Sequence, residues 1–310
     1  MLKNNKGPLV SVLMPVYNGG LFLSAAIDSI LSQTYRNFEL VIIDDASGDN
    51  TWEIIQSYQK KLPQVIRSYR LTKNIGAFAA VNSIISEVRS KYFALMDSDD
   101  ISDPERLAKQ VSYLEEHPEV IVLGTQTRII DENGNIIGNK YLPINHRQIY
   151  RDFALIHPMV HPSCLIRASL LPDNNKLYED RFGVNSDYFT FFKLLNYGKF
   201  SNLEEPLFNY RIHLRNSSLA DLRAKFFNTI KIRITAIKEF GYKLPLYTIP
   251  LIGIQTILAV MIPNRMAMSF YLIARGIYSP KRLLSLWKQT LGSFLLRPVR
   301  PLRGFTYQQA

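Results

Sequence analysis

The chain has 310 residues, of which 47% are hydrophobic and 20% charged, so it is expected to be globular and not largely disordered. Its single cysteine, Cys164, excludes an internal disulfide, and the polar N-terminus lacks the apolar stretch of a signal peptide, so we expect a cytoplasmic protein. The net charge of +11 would suit a nucleic-acid binder, but nine positive charges follow Glu239, in an apolar tail without acidic residues. We therefore expect no nucleic-acid partner.

The first half of the chain alternates apolar, strand-like runs with helix-like patterns. This alternation predicts an α/β fold with a Rossmann-like, mostly parallel sheet and helices on both faces. The expected strands are residues 9–16, 38–43, 65–71 and 92–96, and the last expected helix between them covers residues 77–88. Ligands of such sheets bind beyond the carboxyl ends of the strands, where Tyr17, Asp45, Asn74 and Asp97 fall.

Three carboxylates follow the fourth predicted strand directly, in the sequence Asp97-Ser98-Asp99-Asp100. Carboxylates this close repel one another and lose hydration, and a divalent cation held by oxygen ligands is the usual relief. The motif therefore predicts a metal site, and capping of the helix after Pro104 is the alternative.

The second half of the chain is less regular. Its expected elements are helices at 105–116, 187–197 and 219–240, strands at 120–123 and 164–166, a hairpin turn at 133–135 and an extended segment at 206–212. We expect one domain over residues 1–240, with a first half to about residue 125 and a second half from about 126, then a tail over 241–310.

Two common nucleotide-binding motifs are missing, since neither Gly-x-Gly-x-x-Gly nor Gly-Lys-Ser/Thr follows a strand. Residues 9–218 instead resemble family-2 glycosyltransferases of the GT-A fold, a class of inverting, nucleotide-sugar-dependent enzymes, and among them the bacterial surface-glycan type. The resemblance rests on elements in a fixed order: residues 10–18, 43–47, 74–76, 97–100, 185–189 and 205–213.

This resemblance implies that the first half of the domain is the nucleotide-sugar half and the second half is the acceptor half. It also implies a set of donor-side residues. Asp97 and Asp99 would hold a divalent metal, Mn²⁺ or Mg²⁺, with His213 as a third ligand. Asp45 would accept a hydrogen bond from a uracil-type base, unless it only caps a turn. The other implied donor contacts are Pro15, Val16, Tyr17, Asn74, Gly76, Ser98, Arg211 and Arg215. A plain helix N-cap would explain Asn74 equally well.

The same resemblance assigns the catalytic base to Asp187, which would take the proton from the acceptor hydroxyl. The family usually has an acid where Ser186 stands, Glu179 and Asp180 are nearby rivals, and an N-cap role for Asp187 is the alternative. His161 is expected to line the acceptor pocket. His157 could equally lie on the surface.

The tail combines an uncharged, apolar stretch at 244–264 with the nine cations. Three outcomes are open for this stretch: it lies in the membrane interface, packs on the domain or spans the bilayer. We expect residues 244–303 to bind an anionic membrane surface, which would make the protein peripheral on the inner face of the plasma membrane.

The sequence thus predicts a metal-dependent inverting glycosyltransferase that moves sugar from a nucleotide sugar, a UDP-sugar in the first instance, to a glycan or lipid-linked acceptor. The alternatives are a nucleotidyltransferase acting on sugar phosphates and a non-catalytic nucleotide-sugar-binding protein. The nucleotidyltransferase reading predicts a sugar 1-phosphate and an NTP as substrates. Separate substitution of Asp99 and Asp187 by Ala distinguishes a transferase, which should lose turnover in both variants, from a non-catalytic protein.

Overall fold

The computed structural model describes residues 7–173, 176–213, 216 and 222–261. The first half is built from alternating strands and helices, as the sequence predicts. These elements are β1 (Val10–Val16), α1 (Leu23–Leu31), β2 (Phe38–Asp44), α2 (Thr51–Lys61), β3 (Ile66–Arg70), α3 (Ala77–Ile84) and β4 (Tyr92–Leu95).

The second half begins with a very short strand and is richer in antiparallel pairing. Its strands are β5 (Ile101–Ser102), β6 (Val120–Ile130), β7 (Ile136–Lys140), β8 (Leu165–Arg167) and β9 (Lys199–Arg211). Its helices are α4 (Arg106–Glu116), α5 (His146–Asp152), α6 (Ser186–Leu194), α7 (Leu222–Phe240) and α8 (Thr248–Met261). Single 3₁₀ segments cover Ile85–Glu87, His161–Ser163, Ala168–Leu170 and Asp180–Asn185.

The described strands form one mixed sheet in the order β3-β2-β1-β4-β8-β6-β9-β5, with β7 attached to β6. Strands β3, β2, β1 and β4 are mutually parallel, as their crossover helices require. Antiparallel β8 joins β4 to β6 and so links the two halves of the chain. The carboxyl ends of β1, β2, β3 and β4 therefore lie along one edge of the sheet.

The sheet separates two apolar cores, because alternate residues of its central strands point to opposite faces. Val12 and Met14 of β1 pack with α1, α2 and α4, whereas Leu13 packs on the face covered by α3, α6 and α7. Helices on both faces are what the alternating pattern predicts.

Several boundaries differ from the sequence prediction. Strand β6 continues to Ile130 instead of ending at Leu123, because its polar middle, Thr125 to Thr127, is buried along β9. Gln126 binds the backbone of Leu142 through both amide atoms, at 2.6 and 3.0 Å. Strand β9 begins at Lys199 rather than near Pro206, and α6 ends at Leu194.

The described part of the tail consists mainly of α8. Among the residues that the structure describes, no helix is long and apolar enough to cross a membrane. The large apolar side chains that α8 exposes are Ile249, Leu251, Ile254, Ile257, Leu258, Val260 and Met261. Residues 262–303 of the predicted membrane-binding segment lie outside the described residues.

Candidate active site

The loops that follow β1 and β2 are joined at the carboxyl edge of the sheet by hydrogen bonds from backbone N–H groups to side-chain oxygens. The backbone N–H of Asn18 donates to Ser47 Oγ at 2.9 Å, and Asn18 Oδ1 accepts from Gly48 N at 2.9 Å. Asn18 and Ala46 adopt left-handed φ values of 51° and 60°, which the paired loops hold in place. Tyr17 is 55% exposed beside them, with its ring available to a ligand.

Asp44 and Asp45 are adjacent in sequence but accept hydrogen bonds from different loops. Asp44 Oδ1 accepts from Ser47 N at 3.0 Å, so the turn-capping role belongs to Asp44. The two oxygens of Asp45 instead accept from Ile75 N and Gly76 N, each at 2.8 Å. Because each carboxylate oxygen has two lone pairs, Asp45 retains acceptor capacity toward a ligand.

The start of α3 faces this carboxylate. Gly76 is the N-cap of α3, with φ of 88° and no side-chain capping bond. Asn74 is therefore not the cap of this helix, and its side chain is exposed at the same loop. The predicted donor residues after β1, β2 and β3 are thus brought to one edge.

The acidic loop after β4 lies against the loop after β1. A side chain at Gly19 would meet Val16 Cγ2 at 2.5 Å and Ser98 Oγ at 3.3 Å, so only glycine allows this approach. The N-cap residue of α4 is Glu105, and no side chain caps the helix there, so the acidic run does not serve as its cap. One oxygen each of Asp97, Asp99 and Asp100 lies within 4.8 Å of the other two.

These three carboxylates fit a divalent cation. Burial, followed by the charges of Asp99 and Asp187, raises the pKa of Asp97 to about 8. Burial and the charges of Asp99 and Asp97 also raise the pKa of Asp100 well above its usual range. Asp100 Oδ2 is buried without a hydrogen-bond partner among the described residues. A cation would offset this crowding, and Asp100 is a candidate ligand that the sequence analysis did not single out.

His213 lies beside the acidic loop, as the ligand prediction requires. Its Nε2 is 2.8 Å from Asp99 Oδ2, and Asn216 Nδ2 donates to the same oxygen at 3.2 Å. Phe22 packs on the imidazole with the ring centroids 4.8 Å apart. His213 and Asp99 could therefore share one metal, although metal ligation by His213 stays a prediction.

Arg211 is buried and bonded to backbone carbonyl oxygens. Its guanidinium donates to those of Asp99, Asp131 and Glu132 at 2.8, 3.0 and 2.9 Å, and its backbone N–H donates to Asp100 Oδ1 at 2.7 Å. These bonds favour a role in positioning the acidic loop, and diphosphate contact by Arg211 stays a prediction. Arg215 lies outside the described residues.

Asp187 occupies the first turn of α6 but does not cap it, because Asn185 is the N-cap residue. Its Oδ1 accepts from Tyr188 N at 2.7 Å, and its Oδ2 lies 3.4 Å from His157 Nε2. Burial alone would raise the pKa of Asp187. The contact of His157 with the carboxylate, then His161 and the Tyr188 N–H, outweigh burial and lower that pKa.

A histidine and a tyrosine near Asp187 are paired with each other. His161 Nε2 is 2.9 Å from the hydroxyl of Tyr178, and burial lowers the pKa of His161 to about 4. Burial, followed by the charges of Asp97 and Asp187, raises the pKa of Tyr178 well above its usual range. Acceptor binding by His161 stays a prediction, and Tyr178 was not identified from the sequence.

The rival bases are less suited than Asp187. Glu179 pairs with Lys193 at 2.6 Å and Lys176 at 3.3 Å, and Asp180 is also near Lys176, at 3.7 Å. His157 was missed as well, although the repeated His-Pro at 157–158 and 161–162 was a visible signal. Both histidines of that repeat face Asp187.

Comparison with known proteins identifies relatives of this chain. The family model for glycosyl transferase family 2 matches residues 11–173. An uncharacterized glycosyltransferase of Methanocaldococcus jannaschii is 34% identical over 70% of this chain and 75% of its own length. An O-antigen biosynthesis glycosyltransferase of Escherichia coli is 33% identical over 69% of this chain and 84% of its own length.

Solved structures share the fold at low identity. A Pyrobaculum calidifontis mannosyltransferase in complex with GDP-Man and Mn²⁺ has a TM-score of 0.58 and 19% identity, covering 94% of this chain and 81% of its own. S. aureus TarS in complex with UDP-GlcNAc has a TM-score of 0.54 and 20% identity, covering 91% of this chain and 92% of its own. The predicted GT-A fold is confirmed.

Proposed function

Because the chain belongs to glycosyl transferase family 2, we propose that it is a metal-dependent inverting glycosyltransferase of cell-surface polysaccharide biosynthesis. It moves a sugar from a nucleotide-sugar donor to a glycan or lipid-linked acceptor. The observation that carries this proposal is the cluster of Asp97, Asp99 and Asp100 oxygens within 4.8 Å of one another after β4, with Asp187 near enough to raise the pKa of Asp97. Family membership also disfavours the nucleotidyltransferase and non-catalytic alternatives.

The donor is proposed to be a UDP-sugar. Asp45 is buried at the end of β2 with acceptor capacity for a ring N–H, and the exposed ring of Tyr17 provides a stacking surface nearby. The TarS structure in complex with UDP-GlcNAc is consistent with this choice, whereas the mannosyltransferase complex contains GDP-Man. A direct donor screen is therefore required.

Asp97 and Asp99 are the proposed metal ligands, with His213 as a third and Asp100 as a further candidate. A divalent cation bound there, Mn²⁺ or Mg²⁺, would stabilise negative charge on the departing diphosphate. Arg211 keeps the acidic loop in position through the backbone carbonyl of Asp99.

Asp187 is the proposed general base. Its lowered pKa keeps the carboxylate ionised near neutral pH and able to accept a proton. As the acceptor oxygen bonds to the anomeric carbon, the bond from that carbon to the diphosphate breaks and the hydroxyl proton passes to Asp187. Attack from the face opposite the leaving group inverts the configuration.

The tail is proposed to bind an anionic membrane surface. The exposed aliphatic side chains of α8 would enter the interface, and the cations beyond Glu239 would face the lipid headgroups. The double substitution Ile254→Glu with Ile257→Glu should weaken binding to anionic phosphatidylglycerol vesicles. Ile136→Glu, at an exposed position on β7, is the matched control. Unchanged vesicle binding in the double variant would remove the membrane assignment.

A donor screen tests the central proposal. UDP-, GDP- and dTDP-sugars are compared for metal-dependent thermal stabilisation, because a ligand that binds only the folded state raises its stability. Asp99→Ala should abolish the metal-dependent part of this stabilisation, and Asp187→Ala should retain it but lose turnover. Asp28→Asn, an exposed carboxylate bonded to Tyr58, is the control. Full turnover by the Asp187 variant would overturn the assignment of the base.

A further inference from the structure

We propose that His157 is a positioning residue for Asp187, holding the carboxylate in the orientation that receives the acceptor proton. The inference rests on the proposed role of Asp187 as general base. It assigns a task to a side chain that is nearly buried, with 13% of its surface exposed, and that no step of the proposed reaction otherwise uses.

Both oxygens of Asp187 face nitrogen atoms of the protein. Oδ1 accepts from the Tyr188 backbone N–H at 2.7 Å, which fixes one end of the carboxylate. Oδ2 lies 3.4 Å from His157 Nε2, a separation within ion-pair range but without hydrogen-bond geometry in this state. Two contacts on opposite oxygens determine the plane of a carboxylate, whereas one contact leaves it free to rotate.

The tautomer of His157 follows from its other ring nitrogen. The backbone N–H of Met159 donates to His157 Nδ1 at 3.3 Å, so Nδ1 must present a lone pair. A neutral imidazole with an unprotonated Nδ1 carries its proton on Nε2, which is the atom facing Asp187. The ring therefore offers a donor to the carboxylate, as a second group that orients a catalytic base should.

The imidazole is held in place by aromatic side chains. Its centroid lies 5.2 Å from that of Tyr188, 5.5 Å from that of Phe191 and 6.0 Å from that of Phe153. Two residues before it, the carbonyl oxygen of Leu155 accepts from Arg233 of α7 at 2.7 Å. The loop that carries His157 is thus fixed to α7, and the His157 imidazole packs on α6.

Removing His157 should change the protonation behaviour of Asp187 in a defined direction. The titratable groups near this carboxylate are His157, His161, Asp97, Tyr178 and Cys164. His157 and His161 lower the pKa of Asp187, against the burial that raises it. At low pH Asp187 becomes protonated and cannot act as a base, so the rate falls; this fall is the acidic limb of the pH–rate profile. Without His157 the acidic limb should therefore move to higher pH.

The experiment compares His157→Phe, which keeps an aromatic ring without a donor, with His157→Gln, which keeps a side-chain N–H. The reaction followed is metal-dependent hydrolysis, with water as acceptor, of the UDP-sugar that stabilises the protein most. We expect His157→Phe to lower kcat about 10- to 100-fold with little change in donor KM, and to shift the acidic limb upward. His157→Gln should recover most of the kcat.

His146→Gln is the matched control, because His146 Nδ1 also accepts a backbone N–H, from Phe200 at 3.1 Å, away from the site. A second readout needs no substrate. Long-range ¹H–¹⁵N spectra of the histidine-labelled protein should show the Nε2–H tautomer for His157, identified by its loss in His157→Gln.

The outcomes distinguish failure of the base assignment to Asp187 from failure of the positioning role of His157. An active Asp187→Asn variant overturns the proposed base. If Asp187→Asn is inactive but His157→Phe has wild-type kcat and an unmoved acidic limb, or if the spectra show an Nδ1–H tautomer, the positioning role of His157 is wrong while the base assignment stands.

Discussion

Substitution of Asp97 by Asn should stabilise the metal-free protein, and increasingly so as the pH rises. The folded-state pKa of Asp97 is raised from 3.8 to about 8, so between these values the folded state binds more protons than the unfolded state. Stability contributed by such a group is present at low pH and is lost as pH rises toward 8. Asn carries no ionisable group and escapes this loss.

The size of the effect follows from the shift. Each pH unit between 4 and 8 would cost about 1.4 kcal/mol for a single group with this shift. Asp97 is half-buried, so water screens its charge, and part of the repulsion comes from Asp99 as a neighbour. We therefore expect the free energy of unfolding of the wild type to fall by about 2 kcal/mol between pH 5 and pH 8. In a domain of this size that corresponds to about 4–8 °C in Tm.

The assay is thermal unfolding in EDTA at pH 5, 6, 7 and 8, for wild type, Asp97→Asn and the exposed control Asp28→Asn. The Tm advantage of Asp97→Asn over wild type should grow with pH, and added Mn²⁺ should stabilise wild type more than Asp97→Asn. Parallel Tm curves for wild type and Asp97→Asn across this range would refute the argument that charge crowding creates the metal site.

Three further substitutions test individual contacts. Gly76→Ala should destabilise the fold by about 1–2 kcal/mol in urea unfolding, because φ of 88° strains any other residue although the space is open. Asp45→Asn should cost about 1–3 kcal/mol, since its amide turns a donor toward the N–H of Ile75 or Gly76, and a stability equal to wild type would contradict this pairing. Arg211→Lys should weaken Mn²⁺ binding about 10-fold in a titration, because an ammonium cannot reproduce three carbonyl contacts, and an unchanged Kd would argue against a positioning role.

The sequence predicted the strands and helices of the first half of the chain well, because its strands are continuous apolar runs and each ends in polar residues. Runs such as residues 38–44 are buried on both faces and cannot be mistaken for loops. The carboxyl ends of parallel strands meet at one edge, so Asp45 and Asp97 could be assigned to one site before any distance was known.

Contacts between distant segments were not predictable. Asp44 and Asp45 bind different segments because successive side chains at the end of β2 point in different directions. Two adjacent acids in the sequence do not show which of them binds which segment. His157 faces Asp187 across 30 residues of sequence, and the repeated His-Pro pattern does not show which carboxylate the histidine contacts. The predicted strand at 120–123 was too short because the polar middle of β6 finds its hydrogen-bond partners only in distant segments of the chain.

Strand β6 has a consequence for recombining this enzyme with its relatives. Val122 and Leu123 pair with β8 on one side, and residues from Val120 to Ile130 pair with β9 on the other, so the strand crosses the boundary near residue 125 without interruption. A chimera joined at that boundary would mismatch two strand pairings at once. A junction in the turn around Gly134 would keep β6 continuous but would pair it with foreign β7, β8 and β9, so these four strands should be exchanged as one unit.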